Sequence, residues 1–250
     1  MKQQYEPTDF DKEDGFFEIP NKKYVAIVSK ELTDVGKELT QSQAHGFTIE
    51  TDIKEKVFEL TEQNVNNTNI HDIEGEQNKF NKNENISIKT SCSTCVECGD
   101  IIRIFKYDFT RQNTIILVLL AQSSPTEKTI KEVIEINYTE QLHHLLFGSI
   151  TLEELEEYVN LVKSIPSGKN IDKTYLTNKK ELQQKHQMNL SINPKVDSKS
   201  QRRVQCKIPL KLFEQYPEYI LYRNTEAIVR GVEITKTLQS SPRKRSKKEI

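Results

Sequence analysis

A mainly β fold with a flanking α-helix follows from three features of this 250-residue chain. Several short runs are β-branched and aliphatic, either alternating with polar residues or unbroken, as strands are. One later stretch, 150–165, switches to helical spacing. A long Asn-rich insertion with few apolar residues separates the early runs from the later ones.

The elements follow in order along the chain. Residues 1–20 carry Glu6, Asp9, Asp11, Glu13, Asp14 and Glu18 and are expected to form a flexible acidic N-terminus, with Phe16 and Phe17 as an apolar pair able to dock. Residues 23–29 (KYVAIVS) predict a first strand and 46–59 a second, its apolar members being Phe47, Ile49, Val57 and Phe58. Residues 61–85 read as a long loop or disordered insertion, which a domain tolerates because closure entropy grows slowly with length. Residues 86–90 (ISIKT) alternate as a strand does. Gly99-Asp100 is a turn signal, 100–109 (DIIRIFKYDF) a further strand, and Gln112-Asn113 a further turn. Residues 114–121 (TIILVLLA) are an unbroken apolar strand, a pattern that implies burial on both faces.

In 150–165, Ile150, Leu152, Leu155, Tyr158, Val159, Leu161 and Val162 follow helical spacing. Thr151 and Glu154 have the spacing of a capping box, and Pro166 and Gly168 stop the helix. Its outer face is covered by Glu153, Glu154, Glu156 and Glu157. Residues 167–202 are expected as a polar linker with a short helix near 179–188. Residues 203–236 hold additional strands that either close the main unit or form a small extra one. Residues 237–250 are a basic tail, in which Arg243, Lys244, Arg245, Lys247 and Lys248 fit a nuclear localisation signal.

Composition narrows the function classes. The formal net charge of −1 excludes a uniformly basic nucleic-acid coat. The polar start MKQQYEPTDF lacks the apolar core of a secretory leader, and no apolar run is long enough to cross a bilayer. Four cysteines in that context are expected as reduced thiols of the cytosol or nucleus. The Asn, Lys and Gln richness resembles chains from AT-rich genomes such as those of ciliates.

No phosphate-binding loop, dinucleotide fingerprint, nucleophile elbow or HExxH pattern is present. None of His45, His71, His143, His144 and His186 pairs recognisably with a nucleophile, so no catalysis, cofactor or small-molecule substrate is expected. The CxxCxxC run of Cys92, Cys95 and Cys98, with Cys206 as a fourth donor, is the one candidate zinc set. The competing reading is free buried thiols, because a strand would send Cys92 and Cys98 to one side and Cys95 to the other.

Residues 99–107 (GDIIRIFKY) resemble a strand signature of oligonucleotide/oligosaccharide-binding (OB) folds, closest to telomere end-binding proteins and the replication-protein-A group. The resemblance implies an OB-type five-stranded β-barrel over 21–166 with a C-terminal helix and long loop insertions. It places Ile102 and Ile104 in the core and Arg103, Phe105 and Tyr107 on the other face. Three readings of that stripe stand open: a protein-partner anchor, with Glu153, Glu154, Glu156 and Glu157 as a second contact; a single-stranded nucleic-acid groove using Arg103, Lys106 and Tyr107; and packing of both aromatics under the following helix. The acidic helix favours the first, because a strand-binding groove is expected to be positive. The chain is thus most similar to an ACD/Tpp-type adaptor, a nuclear, telomere-associated subunit. Its partners would be other OB-fold subunits and the telomerase catalytic subunit. The alternative is a single-stranded telomeric nucleic-acid binder.

Overall fold

The computed structural model describes residues 16–17, 26–27, 41–61, 70–124, 127–166, 173–196 and 202–239. Strands β1 (Phe16–Phe17) and β2 (Ala26–Ile27) pair antiparallel. Helix α1 (Gln41–Asp52) runs into a π-helical turn, Ile53–Val57. Here a helix stands where the sequence predicts a strand. Ile49, Ile53 and Val57, four residues apart, are all fully buried, which is the geometry of one helical face and not of a pleat. Two i,i+4 ion pairs, Glu50–Lys54 and Asp52–Lys56, each at 2.6 Å, reinforce it.

The main sheet holds β3 (Glu84–Ser91), β5 (Gln112–Ser124), β6 (Glu127–Asn137), β9 (Ile220–Asn224) and β12 (Thr237–Gln239). Strand β3 pairs parallel with β5, which pairs antiparallel with β6. Both β9 and β12 pair along the far edge of β6, at its end and its start respectively. Strand β5 alternates between two cores, sending Ile115 and Leu117 to one and Ile116, Val118 and Leu120 to the other. Burial on both faces is why its sequence shows no polar alternation. Each fully buried aliphatic there contributes about 1.5–3 kcal/mol.

A parallel β3–β5 pair needs a crossover. It is supplied by β4 (Cys95–Asp100) and helix α2 (Ile101–Phe105). Strand β4 leaves the main sheet and joins a second, antiparallel one in the order β4-β8-β7, with β7 at Ser191–Lys195 and β8 at Arg203–Pro209. Helices α3 (Glu140–Phe147) and α4 (Leu152–Ser164) share the first core with residues of both sheets. Helix α5 (Thr174–Lys185) lies beside α4, and α6 (Lys211–Gln215) follows β8. The second core lies on the opposite face of the main sheet, under α1 and the hairpin of β10 (Ile228–Val229) and β11 (Val232–Glu233).

The class is therefore mixed α/β, with about 36% strand and 34% helix, and neither sheet closes into a barrel. The five-stranded OB-type barrel is corrected on that ground: the crossover diverts β4 into a separate sheet, so the main sheet stays open. Residues 203–239 supply strands to both sheets and are no appended unit. The described part of the Asn-rich insertion is ordered, not loose. Ile73 bridges Ile86. The fully buried Asn78 donates to Glu84 and accepts from the Phe80 and Asn81 amides. An Asn side chain can thus build a turn that composition alone reads as disorder. The stretch expected as linker holds α5 and β7. The tail cations Arg243, Lys244, Arg245, Lys247 and Lys248 lie outside the described residues.

Candidate interaction surface

The segment that carries the OB resemblance folds as a bend into a helix. Gly99 has φ +93°. Asp100 is extended, and its carboxylate accepts from the Arg103 amide at 3.1 Å, an N-cap. Capping by Asp is what turns the chain helical here, and the buried pair becomes Ile101 and Ile104 instead of Ile102 and Ile104. The single-face stripe of Arg103, Phe105 and Tyr107 is thereby broken up.

Arg103 and Lys106 are exposed. Phe105 is half-buried, edge-on to Phe147 at 5.0 Å and His143 at 5.5 Å. Tyr107 is 7% exposed, with its hydroxyl 3.0 Å from Ser87 Oγ and its ring 4.7 Å from His71. Burial pushes the Tyr107 phenol up and drives His71 and His143 down to about 4, so both imidazoles are neutral at physiological pH. Phe105 thus packs against α3, whereas Tyr107 is buried against Ser87 of β3, His71 and Tyr138 and not under a helix.

Lys106, the C-cap of α2, meets the acidic helix. Lys106 pairs with Glu156 at 2.9 Å, which joins α2 to the start of α4. Both bonds of the capping box form between Thr151 and Glu154. Glu154 is then occupied. Lys185 bonds it at 2.6 Å and, with the cap, holds its carboxyl down at about 2. Glu153 and Glu157 are exposed and have no ion-pair partner among the described residues. Tyr158 donates to the Tyr175 carbonyl at 3.1 Å, setting α5 alongside. Each of these helices leaves one leucine out: Leu161 is 39% exposed and Leu176 36%. The exposed leucines of α4 and α5 thus lie on adjoining helices, and α4 also carries the exposed carboxylates Glu153 and Glu157. That composition suits a protein contact, an apolar centre with a charged rim.

The cysteines are not gathered. Cys92 is exposed and Cys95 half-exposed, while Cys98 and Cys206 are buried in the first core and interact with each other. Among the described residues, no group of three His, Cys, Asp or Glu side chains is placed to hold a metal. Nor, among those residues, is any helix long and apolar enough to cross a membrane.

Two polar assemblies have no counterpart in the sequence reading. In the first, Arg230 bonds both carboxylate oxygens of Glu84, at 2.7 and 2.8 Å, and one of Glu135 at 3.1 Å. Arg230 and Gly231 have φ of +50° and +82°, as the tight hairpin between β10 and β11 requires,. The Arg-Gly pair between short apolar runs is the only sequence signal for it. In the second, Ser149 Oγ lies 3.1 Å from His186 Nδ1, and His186 Nε2 lies 3.2 Å from Glu154 without hydrogen-bond alignment. The order of groups is that of a serine triad, but its evident effect is to tie the α3–α4 corner to the end of α5. The Ser149 amide also bonds the His186 carbonyl.

Comparison with known proteins finds no matching family model, no matching curated protein and no matching solved structure.

Proposed function

We propose that this chain is a non-catalytic binding subunit that engages a protein partner through the α2–α4–α5 face. The observation that carries this reading is the exposure of Leu161 and Leu176 on adjoining helices, with Glu153 and Glu157 exposed on α4 and without an ion-pair partner among the described residues. Carboxylates without an ion-pair partner among the described residues call for a partner with a basic rim. The catalytic-looking groups are otherwise engaged: Glu154 in a cap and an ion pair, His143 in an aromatic cluster, and Tyr107 in the core.

The adaptor role in a nuclear telomerase or telomere-end complex is the specific form of this proposal. Its support is the short resemblance at 99–107, which lies on a helix and lends nothing to a barrel; it names the first partners to test. Lys106, which follows α2, pairs with Glu156 of the acidic helix, and this supports a shared surface for the two. Phe105 and Tyr107 are removed from it.

The experiment is a direct binding titration with telomerase catalytic and telomere-end subunits, comparing the parent chain with Leu161→Asp/Glu157→Arg. The proposal predicts at least about a tenfold loss of affinity, since interface centres cost more than about 1.4 kcal/mol when disrupted. Equal affinity in the folded variant would remove this face from the contact.

A further inference from the structure

We infer that Cys98 and Cys206 form a redox-active dithiol that hydrogen peroxide closes into an intramolecular disulfide and a thiol reductant reopens. Strands β4 and β8 bring the two residues together. Glu97 pairs with Lys207 and Gly99 with Cys206, so Cys98 is the surplus residue of a bulge and lies next to Cys206. Gly99 takes φ +93°, a left-handed conformation that such a bulge accommodates with glycine,. Both cysteines belong to the first core, Cys98 at 6% exposure and Cys206 at 0%. Their side chains therefore leave the sheet on the same face. Disulfides join Cα atoms up to about 6.8 Å apart, a span that neighbouring positions on paired strands satisfy.

The rest of the CxxCxxC run is set apart from this pair. Along β4, Val96 and Cys98 are buried while Cys95 and Glu97 alternate with them toward the outer face. Cys95 is half-exposed and Cys92 exposed. The sheet itself thus stands between Cys95 and the buried thiols.

The two buried thiols are inequivalent. The hydrogen bond from the Cys206 thiol holds Cys98 below its usual value against burial, and the Lys89 ammonium adds to this. The same bond, together with burial, pushes Cys206 well above its usual value. Cys98 also keeps the small exposure that Cys206 lacks. Cys98 is therefore the nucleophile and Cys206 the resolving thiol. The Cys98 thiolate attacks one peroxide oxygen, the O–O bond breaks, and the departing hydroxide takes up a proton to become water. Cys98 is then a sulfenic acid. The Cys206 sulfur displaces its hydroxyl, the S–S bond forms, and the Cys206 proton leaves with that hydroxyl as a second water. Two thiols are oxidised by two electrons in all, and one peroxide is reduced to two waters.

The test uses the full chain with Cys92→Ser and Cys95→Ser, which leaves Cys98 and Cys206 as its thiols. Circular dichroism checks the fold. Peroxide is expected to lower the mass of the monomer by two hydrogens and to remove both thiols from titration in denaturant, and dithiothreitol to restore them. A peptide map of the oxidised parent chain is expected to show the same link. With Cys206→Ser added, dimedone is expected to trap a sulfenic acid on Cys98, whereas Cys98→Ser leaves Cys206 unlabelled. Retention of both thiols at a peroxide concentration that oxidises Cys92 and Cys95 of the folded parent overturns the inference. So does oxidation of Cys98 to a sulfinic acid without a disulfide. A link that forms as fast in the urea-unfolded chain as in the folded one would also overturn it, because the pairing of β4 with β8 would then contribute nothing.

Discussion

Replacing Arg230 by methionine removes a guanidinium while keeping most of the side chain's length. Arg230 makes three charge-assisted bonds, two to Glu84 and one to Glu135, whose side chains are 3% and 7% exposed. Hydrogen bonds between charged groups contribute about 1.5–3 kcal/mol each before the desolvation of the ions is set against them. Removing one partner of a buried ion pair typically costs about 3–5 kcal/mol, because the remaining charge stays buried. A loss of about 4 kcal/mol is expected, read by urea unfolding at neutral pH, or about 8–16 °C in Tm for a chain of this size.

The pH dependence is a sharper signature. Burial raises Glu84, but the bonds from Arg230, Thr114 and Asn78 outweigh it and hold the carboxyl below its usual value. That stabilisation is present above the unfolded carboxylate pKa and is lost as pH falls through the lower folded value. Burial keeps Glu135 above its usual value despite Arg230. Glu135 therefore favours the fold below its unfolded pKa, and that contribution is lost as pH rises through the folded one. Without Arg230 both carboxyls move upward, so acid relieves the variant more than the parent, and the gap between them narrows as pH falls toward about 5. Adding Glu84→Gln and Glu135→Gln to Arg230→Met is expected to restore part of the loss. A cost under about 1 kcal/mol that does not change with pH would refute the buried-clamp argument.

Gly148 ends α3 at φ +62° and ψ −135°, and a Cβ there would overlap the His186 carbonyl oxygen that accepts from Ser149. Gly148→Ala is expected to destabilise by about 2–4 kcal/mol in chemical unfolding, from backbone strain plus that overlap. At Tyr107, the phenylalanine variant is expected to lose about 1 kcal/mol with its Ser87 bond, and the alanine variant about 3–5 kcal/mol. A Tyr107→Ala protein of parental stability that releases a partner would return this residue to the surface.

What could be read from the sequence is what local chemistry decides. The unbroken run 114–121 announces a strand buried on both faces, and β5 feeds both cores. Thr151 and Glu154 announce a helix start, and both bonds of the box form. Residues 46–59 misled because their alternation is imperfect, while the four-residue spacing of Ile49, Ile53 and Val57 is exact for a helical face. Residues 100–105 misled because β-branched isoleucines suggest a strand, whereas one aspartate hydrogen bond starts a helix there. The barrel was implied by the resemblance at 99–107, and the sheets do not close into one. The Arg230 clamp joins residues 146 apart to Glu84, and no local pattern encodes such a pairing. The proposed helical face was half legible: the glutamates of α4 stand out in the sequence, but the meeting of Glu156 with Lys106 depends on the fold.

The most direct measurement of the central claim is quantitative affinity purification of the tagged full chain from cells that express it, parent against Leu161→Asp/Glu157→Arg. A Tyr222→Ser variant, altering an exposed aromatic on β9, serves as the surface control. The account predicts that a reproducible partner, confirmed by direct titration of the purified pair, is retained by the control and lost from the helical-face variant. Retention of the same partner at the same affinity by both folded variants would contradict it.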